Sequence, residues 1–128
     1  MTDDNGRGAL VAIVEDDGAI AEGLALNLRL QGYRSEIIGD GESAVRQIEA
    51  NGPDLVLLDI SLPGMDGSEV LRRIRGEPAL AGLPVIALTA HAMAGDRDRY
   101  LGLGFDHYVA KPIIDEAELL GAIERLLP

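Results

Sequence analysis

The feature that most constrains the fold is a short apolar run that ends in an acidic residue. Residues 55–58 are Leu, Val, Leu and Leu, and Asp59 follows them directly. An unbroken apolar run this short is typical of a strand buried on both faces of a parallel sheet. Pro63-Gly64 and Asp66-Gly67 then predict a turn. Asp59 is therefore expected at the carboxyl end of a central strand, where open α/β sheets bind ligands, although an Asp there also commonly caps its own turn.

The rest of the chain repeats this alternation of apolar runs and helical segments. Apolar runs predict strands over residues 9–14, 33–38, 55–59, 84–88 and 106–110. Helical patterns fall between and after them, over residues 19–31, 42–50, 68–75, 93–103 and 115–127. Such alternation predicts a parallel sheet with helices on both faces and right-handed crossovers. The expected fold is a flavodoxin-like (βα)5 doubly wound sheet with strand order 2-1-3-4-5.

Composition narrows the class of protein. The 128 residues suit one domain, with a core over about 9–127 and a flexible leader over 1–8. The absence of Cys excludes disulfides and thiolate metal sites. The sequence contains neither a membrane-spanning run nor a signal pattern, so we expect a cytoplasmic protein without membrane insertion. A formal net charge of −11 argues against direct nucleic-acid binding, because an acidic surface repels phosphate backbones.

Charged and polar residues follow several predicted strands at their carboxyl ends. Glu15 and Asp16 follow the first strand, Asp59 ends the third, Thr89 follows the fourth and Lys111 follows the fifth. Each residue alone has an ordinary explanation, such as a cap, a turn or a surface lysine. Because parallel strands end at one edge of the sheet, we expect all five to meet in one crevice.

The residue types in this crevice suit phosphoryl transfer to a carboxylate. Crowded carboxylates repel one another, and a hard divalent cation such as Mg²⁺ relieves that repulsion. We expect Asp16 and Asp59 to bind the metal directly and Glu15 to bind it through water. Asp59 is the expected nucleophile, because aspartyl phosphate is an established covalent intermediate. Lys111 and the Thr89 hydroxyl would then each contact a phosphoryl oxygen.

These motifs together resemble the receiver domain of two-component response regulators, over about residues 9–127. The matching residues are Glu15-Asp16, Asp59 with the segment 60–67, Thr89-Ala90 and the segment 108–112. The resemblance implies a phosphoacceptor signalling protein that takes a phosphoryl group from phosphohistidine and uses Mg²⁺, for which Mn²⁺ can substitute. It implies a histidine kinase or histidine phosphotransfer protein as donor and a downstream protein as target. It also implies no enzyme activity beyond the domain's own phosphorylation and dephosphorylation.

The resemblance assigns further roles at single positions. Ser61 would bind the metal through its backbone carbonyl. Ser61 and His91 would modulate hydrolysis of the phosphorylated Asp59. Tyr108 matches a switch aromatic that turns inward as the Thr89 hydroxyl moves, and a cis peptide would precede Pro112. His91 has the alternative of being merely exposed.

The chain departs from the family pattern at two positions. Phe105 stands where the family usually has a small residue, which leaves the seating of the fourth helix open. Asp17 adds a third carboxylate, which we interpret as a charge at a helix start, favoured by the helix dipole.

The first helix carries two apolar stripes that one sheet cannot bury together. The inner stripe contains Ile20, Leu24 and Leu28, and the second contains Ala19, Gly23, Leu26 and Leu30. Leu26 and Leu30 could pack sideways against the last helix. Alternatively, the second stripe docks a phosphohistidine helix bundle, which is how receivers resembling this chain use their first helix.

Other classes of protein fit less well. A phosphatase of the haloacid dehalogenase kind needs a second Asp two residues after the first, where this chain has Ser61. A flavin-binding module needs a phosphate loop after the first strand, and the carboxylates of residues 15–17 would repel the phosphate. An interaction domain that works without phosphorylation stays possible. We expect a stand-alone receiver, and the alternative is a receiver fragment of a hybrid kinase.

Overall fold

The fold alternates strands and helices as predicted. A computed structural model describes residues 8–62, 65, 67–89, 95–111 and 116–127. In these ranges the strands are β1 (Leu10–Val14), β2 (Arg34–Ile38), β3 (Leu55–Asp59), β4 (Val85–Thr89) and β5 (His107–Ala110). The helices are α1 (Gly18–Leu30), α2 (Gly41–Asn51), α3 (Gly67–Gly76), α4 (Asp96–Leu103) and α5 (Glu116–Leu126). The predicted helix 93–103 begins at Asp96 here, and residues 93–94 lie outside the described residues.

All five described strands run parallel in one sheet, in the order β2-β1-β3-β4-β5. This confirms the predicted flavodoxin-like order. Every residue of β3 and β4 is buried, which explains their unbroken apolar runs. β2 lies at an edge and is only partly buried, as its mixed composition predicts.

Successive strand residues point into two separate cores. Ala12 and Val14 pack with side chains of α2 and α3 on one face of the sheet. Val11 and Ile13 pack with side chains of α1 and α5 on the other face. The helices therefore cover both faces, as a doubly wound sheet requires. In the described part of the chain, no helix is both long and apolar enough to cross a membrane.

Asp17 caps α1 at its N-terminus. Its side chain accepts hydrogen bonds from the N–H groups of Ala19 at 3.0 Å and Ile20 at 3.2 Å. These groups have no partner inside the helix, so an Asp at this position stabilises the first turn. Asp17 therefore has the helix-start role that the sequence suggested.

Three of the four aromatic residues in the sequence hold α4 against β5. Tyr100 of α4 stacks on Tyr108 of β5 with 5.7 Å between ring centroids, and Phe105 meets Tyr100 edge-on at 6.0 Å. Phe105 is only 3% exposed, whereas α4 itself has no buried residue. The unusual Phe105 thus adds apolar contact beneath a helix that has little of its own.

Candidate phosphoryl and metal site

The carboxyl ends of β1 and β3 bring three acidic side chains together. Glu15 follows β1 directly, Asp16 comes next, and Asp59 is the last residue of β3. Their carboxylate oxygens lie within 4.8 Å of one another. Glu15 and Asp59 are buried, whereas Asp16 is exposed. The predicted acidic cluster therefore forms at the predicted edge of the sheet.

Lys111 lies between two of these carboxylates. Its Nζ is 2.7 Å from Glu15 Oε1 and 3.2 Å from Asp59 Oδ2. Lys111 follows β5 directly, and it is the only lysine in the sequence. Lys111 thus reaches the cluster from the end of β5, two strands away from β3 in the sheet. Its positive charge partly neutralises the carboxylates.

Burial and charge act in opposite directions on these groups. Burial raises the pKa of Glu15 above its usual value, and the hydrogen bond from Lys111 offsets this only in part. Burial by itself lowers the pKa of Lys111, but the hydrogen bond to Glu15 and the negative charge of Asp59 outweigh it and leave that pKa raised. The ammonium group therefore stays charged, which is the form that binds a phosphoryl oxygen.

Backbone N–H groups hold the two buried carboxylates in place. Asp59 Oδ1 accepts a hydrogen bond from the Ser61 N–H at 2.9 Å. Glu15 Oε2 accepts one from the Asp17 N–H at 3.1 Å. Asp59 thus caps its own turn and also takes part in the cluster, and its role as a phosphoacceptor stays a prediction.

The donor set fits a hard divalent cation. Three carboxylates converge, and carboxylate oxygens are the ligands that Mg²⁺ and Mn²⁺ prefer. Ser61 borders the same cavity as Asp59 and Lys111. The use of its backbone carbonyl as a metal ligand stays a prediction.

The backbone of Thr89 is hydrogen-bonded to the backbone of Lys111. It ends β4 and is 2% exposed, and its carbonyl accepts a hydrogen bond from the Lys111 N–H at 2.6 Å. Tyr108 is also buried, in the stack with Tyr100 described above. The predicted residues His91 and Pro112 lie outside the described residues.

Comparison with known proteins identifies the family. Residues 11–124 match the sequence model of the response regulator receiver domain. The chain belongs to this family. It is 42% identical over 117 residues to the sensory transduction protein RegX3 of Mycolicibacterium smegmatis, covering 91% of this chain and 50% of that protein. The receiver thus spans about half the length of the curated relatives it matches.

Solved structures agree with this assignment. The receiver domain of the sensor histidine kinase PA1611 from Pseudomonas aeruginosa, which has a magnesium ion in its active site cleft, is 38% identical with a TM-score of 0.84. That match covers 93% of this chain and 97% of the other. The receiver domain of a histidine kinase from Syntrophus aciditrophicus is 36% identical with a TM-score of 0.83, covering 93% and 89%.

Sequence reasoning did not find the role of Gly67 in this receiver. A Cβ atom at Gly67 would lie 2.6 Å from Ile60 Cα and 3.0 Å from the Asp59 carbonyl oxygen. The Gly67 N–H also donates a hydrogen bond to the Ile60 carbonyl at 3.1 Å. The start of α3 therefore sits directly against the end of β3. In the sequence, the Asp-Gly pair indicated only a turn.

The buried face of helix α1 matches the predicted inner stripe only in part. Its buried residues are Ala21, Leu24, Ala25 and Leu28. The prediction is confirmed for Leu24 and Leu28, whereas Ile20 is only half-buried.

The second stripe of α1 is exposed. Leu26 is 49% exposed and Leu30 is 70% exposed, so neither side chain is buried against α5. Ala19 and Gly23 border the cavity that contains Asp59.

We predict that Gly67→Ala disturbs the site as well as the fold. The added methyl group would overlap backbone atoms of Asp59 and Ile60. Backbone atoms cannot move aside as a flexible side chain can, so the end of β3 has to shift. We expect the free energy of unfolding to fall by about 1–3 kcal/mol, and Mg²⁺ to bind more weakly, in urea denaturation and metal titration. Gly76→Ala at the other end of α3 is the control, because its Cβ would meet nothing within 4 Å. Equal behaviour of the two variants would contradict the steric role of Gly67.

Proposed function

We propose that this receiver accepts a phosphoryl group on Asp59 from phosphohistidine, in a Mg²⁺-dependent transfer that changes its protein contacts. One observation carries the proposal. The single lysine of the chain, drawn from β5, contacts both Glu15 and Asp59 beside an acidic cluster that suits a hard cation. A structural ion pair would need only one carboxylate, whereas phosphoryl transfer needs the nucleophile, the cation and the metal ligands together.

The two carboxylate oxygens of Asp59 have different neighbours. Oδ1 is held by the Ser61 N–H, and Oδ2 lies next to the Lys111 ammonium. In the transfer, an Asp59 oxygen forms a bond to phosphorus as the bond between phosphorus and the histidine nitrogen breaks. Lys111 exchanges a carboxylate for a phosphoryl oxygen, and the Thr89 hydroxyl binds another. Bound Mg²⁺ would supply further charge neutralisation in a transition state that the protein stabilises mainly by positioning charge.

The remaining site residues have supporting roles in this proposal. Asp16 and Asp59 bind the metal directly, together with the Ser61 carbonyl. Glu15, which accepts hydrogen bonds from Lys111 and from the Asp17 N–H, binds it through water. Thr89 and Tyr108 act as the switch.

In this proposal the phosphoryl donor is a histidine kinase or a histidine phosphotransfer protein, and a downstream protein reads the phosphorylated state.

Two kinds of protein are candidates to contain this receiver. Relatives named as sensory transduction proteins favour a response regulator. The similar receivers of two histidine kinases favour a hybrid kinase as the second candidate. In both candidates, phosphoryl transfer to Asp59 is the chemistry of the domain.

Helix α1 provides the docking surface for the phosphohistidine partner in this proposal. Ala19 and Gly23 border the cavity of Asp59, and small residues there allow a partner helix to come close. Leu26 and Leu30 continue the stripe as exposed leucines, which a partner would cover.

Asp59→Asn is expected to abolish phosphorylation. Incubation with a small acyl phosphate and Mg²⁺ should add one phosphoryl group to the intact mass of the wild-type chain and none to the variant. Asp98→Asn, which changes an exposed carboxyl group on α4, should label like the wild type. A phosphoryl adduct that persists in Asp59→Asn would sink the assignment of the nucleophile.

Asp16→Asn is expected to weaken Mg²⁺ binding more than Glu15→Gln does. Asp16 is proposed as a direct ligand, whereas Glu15 is engaged by Lys111 and reaches the metal through water. Titration of both variants with Mg²⁺ and Mn²⁺ measures the two affinities. The reverse order of affinities would mean that Glu15 is the direct ligand of the pair.

Leu26→Ser is expected to slow transfer from the cognate phosphohistidine protein while leaving labelling by a small acyl phosphate intact. The matched control is Leu103→Ser on α4, because Leu103 is 51% exposed and Leu26 is 49% exposed. Equal losses in both assays, with a lower melting temperature, would show that Leu26 supports the fold instead.

A further inference from the structure

A groove extends from the phosphoacceptor along the surface between α1 and α5. Its volume is about 610 Å³, which is in the range of small-molecule sites. Asp59 and Lys111 line one end. Ile20 and Gly23 of α1 and Leu120 of α5, which are at least partly accessible, line the walls farther along, above the buried Leu24, Leu28 and Leu119. The nucleophile and the apolar walls thus belong to one continuous cavity.

The two ends of this groove differ in chemistry. All the charged residues in its described lining are in the acidic cluster, its neighbour Asp17 or Lys111. Beyond them, Asn27 is the one polar side chain on α1 that borders the groove, among apolar residues that include Ile20 and Leu120. The charged end would match an anionic phosphoryl group once a divalent cation at the acidic cluster offsets the carboxylates, with Lys111 beside it. A ligand for both ends would then have a phosphoryl group joined to an apolar chain.

We propose that this groove holds the acyl chain of a small acyl phosphate donor longer than acetyl phosphate. The inference rests on the proposed function, because the phosphoryl group of the donor lies at Asp59. An Asp59 oxygen forms the bond to phosphorus, and the bond between phosphorus and the acyl oxygen breaks. The leaving carboxylate keeps the electron pair, so no proton is needed. Aspartyl phosphate and the free carboxylate are the products.

The size of the expected preference follows from the apolar walls. Burying one methylene group is worth about 0.8 kcal/mol, which corresponds to roughly a fourfold change. Butyryl phosphate has two more methylene groups than acetyl phosphate. Because the groove is open to solvent on one side, we expect butyryl phosphate to label about 4-fold to about 15-fold faster at equal, subsaturating concentration.

The experiment compares the two donors on the wild-type chain with Mg²⁺, by intact mass against time. Both donors release an unbranched carboxylate of similar basicity, so their intrinsic reactivity is matched. Labelling by both donors at equal rates would overturn the inference and leave Asp59 phosphorylation intact. Labelling by neither donor would overturn the proposed function itself.

Variants of the groove test where the acyl chain lies. Gly23→Leu fills the groove from α1, where an added Cβ meets nothing within 4 Å, and Leu120→Asn makes one wall polar. Both should move the ratio of butyryl to acetyl rates toward one. Gly76→Leu, on α3 and away from the groove, should keep the wild-type ratio. An unchanged ratio in both groove variants would also overturn the inference.

A binding assay without chemistry gives a second readout. Butylphosphonate and methylphosphonate have the same charged head group, and neither can transfer it. Butylphosphonate should compete with acetyl phosphate at a lower concentration, and Gly23→Leu should remove that advantage. Equal competition by the two phosphonates on the wild type would contradict a groove that binds the chain.

Discussion

The pair of ionic contacts made by Lys111 is the interaction on which the site depends. Two carboxylates that are almost out of water lie beside a third, and this arrangement is unfavourable unless a cation compensates it. One ammonium group contacts both Glu15 and Asp59 and stays charged because they hold its pKa high. A single positive charge cannot balance three negative ones, so the cluster retains capacity for a divalent cation.

The sheet determines which groups can meet at this cluster. Since β1 and β3 are neighbours, Glu15 and Asp59 end on adjacent strands, while Lys111 arrives from the far edge strand. A backbone hydrogen bond from the Lys111 N–H to the Thr89 carbonyl joins the ends of β4 and β5. Gly67 then allows α3 to start directly against the end of β3. Both close contacts restrict the backbone around Asp59, which favours a preorganised site.

Helix α1 serves the protein through three different faces. One face is buried in the core through Leu24 and Leu28, and an adjoining face forms the wall of the groove beside Asp59. The third face carries the exposed leucines Leu26 and Leu30. A small donor and a protein donor would therefore share the small residues beside Asp59, whereas only a protein donor would cover Leu26 and Leu30. Leu26→Ser is therefore expected to affect the protein donor alone, whereas Gly23→Leu also affects the small donor.

The sequence alone was sufficient to predict the parallel sheet and the acidic cluster. These depend on local patterns, because buried strands read as apolar runs and the polar residues that follow them must share one edge of the sheet. The strand order was predicted from the usual arrangement of five-stranded doubly wound sheets. Only the tertiary structure decided that Lys111 bonds to Glu15 as well as Asp59, that Gly67 must lack a side chain, and that Leu26 and Leu30 face outward. It also showed Phe105 and Tyr100 seating α4. Such contacts join residues far apart in the chain, and their distances follow from how the helices pack on the sheet, which no local pattern encodes.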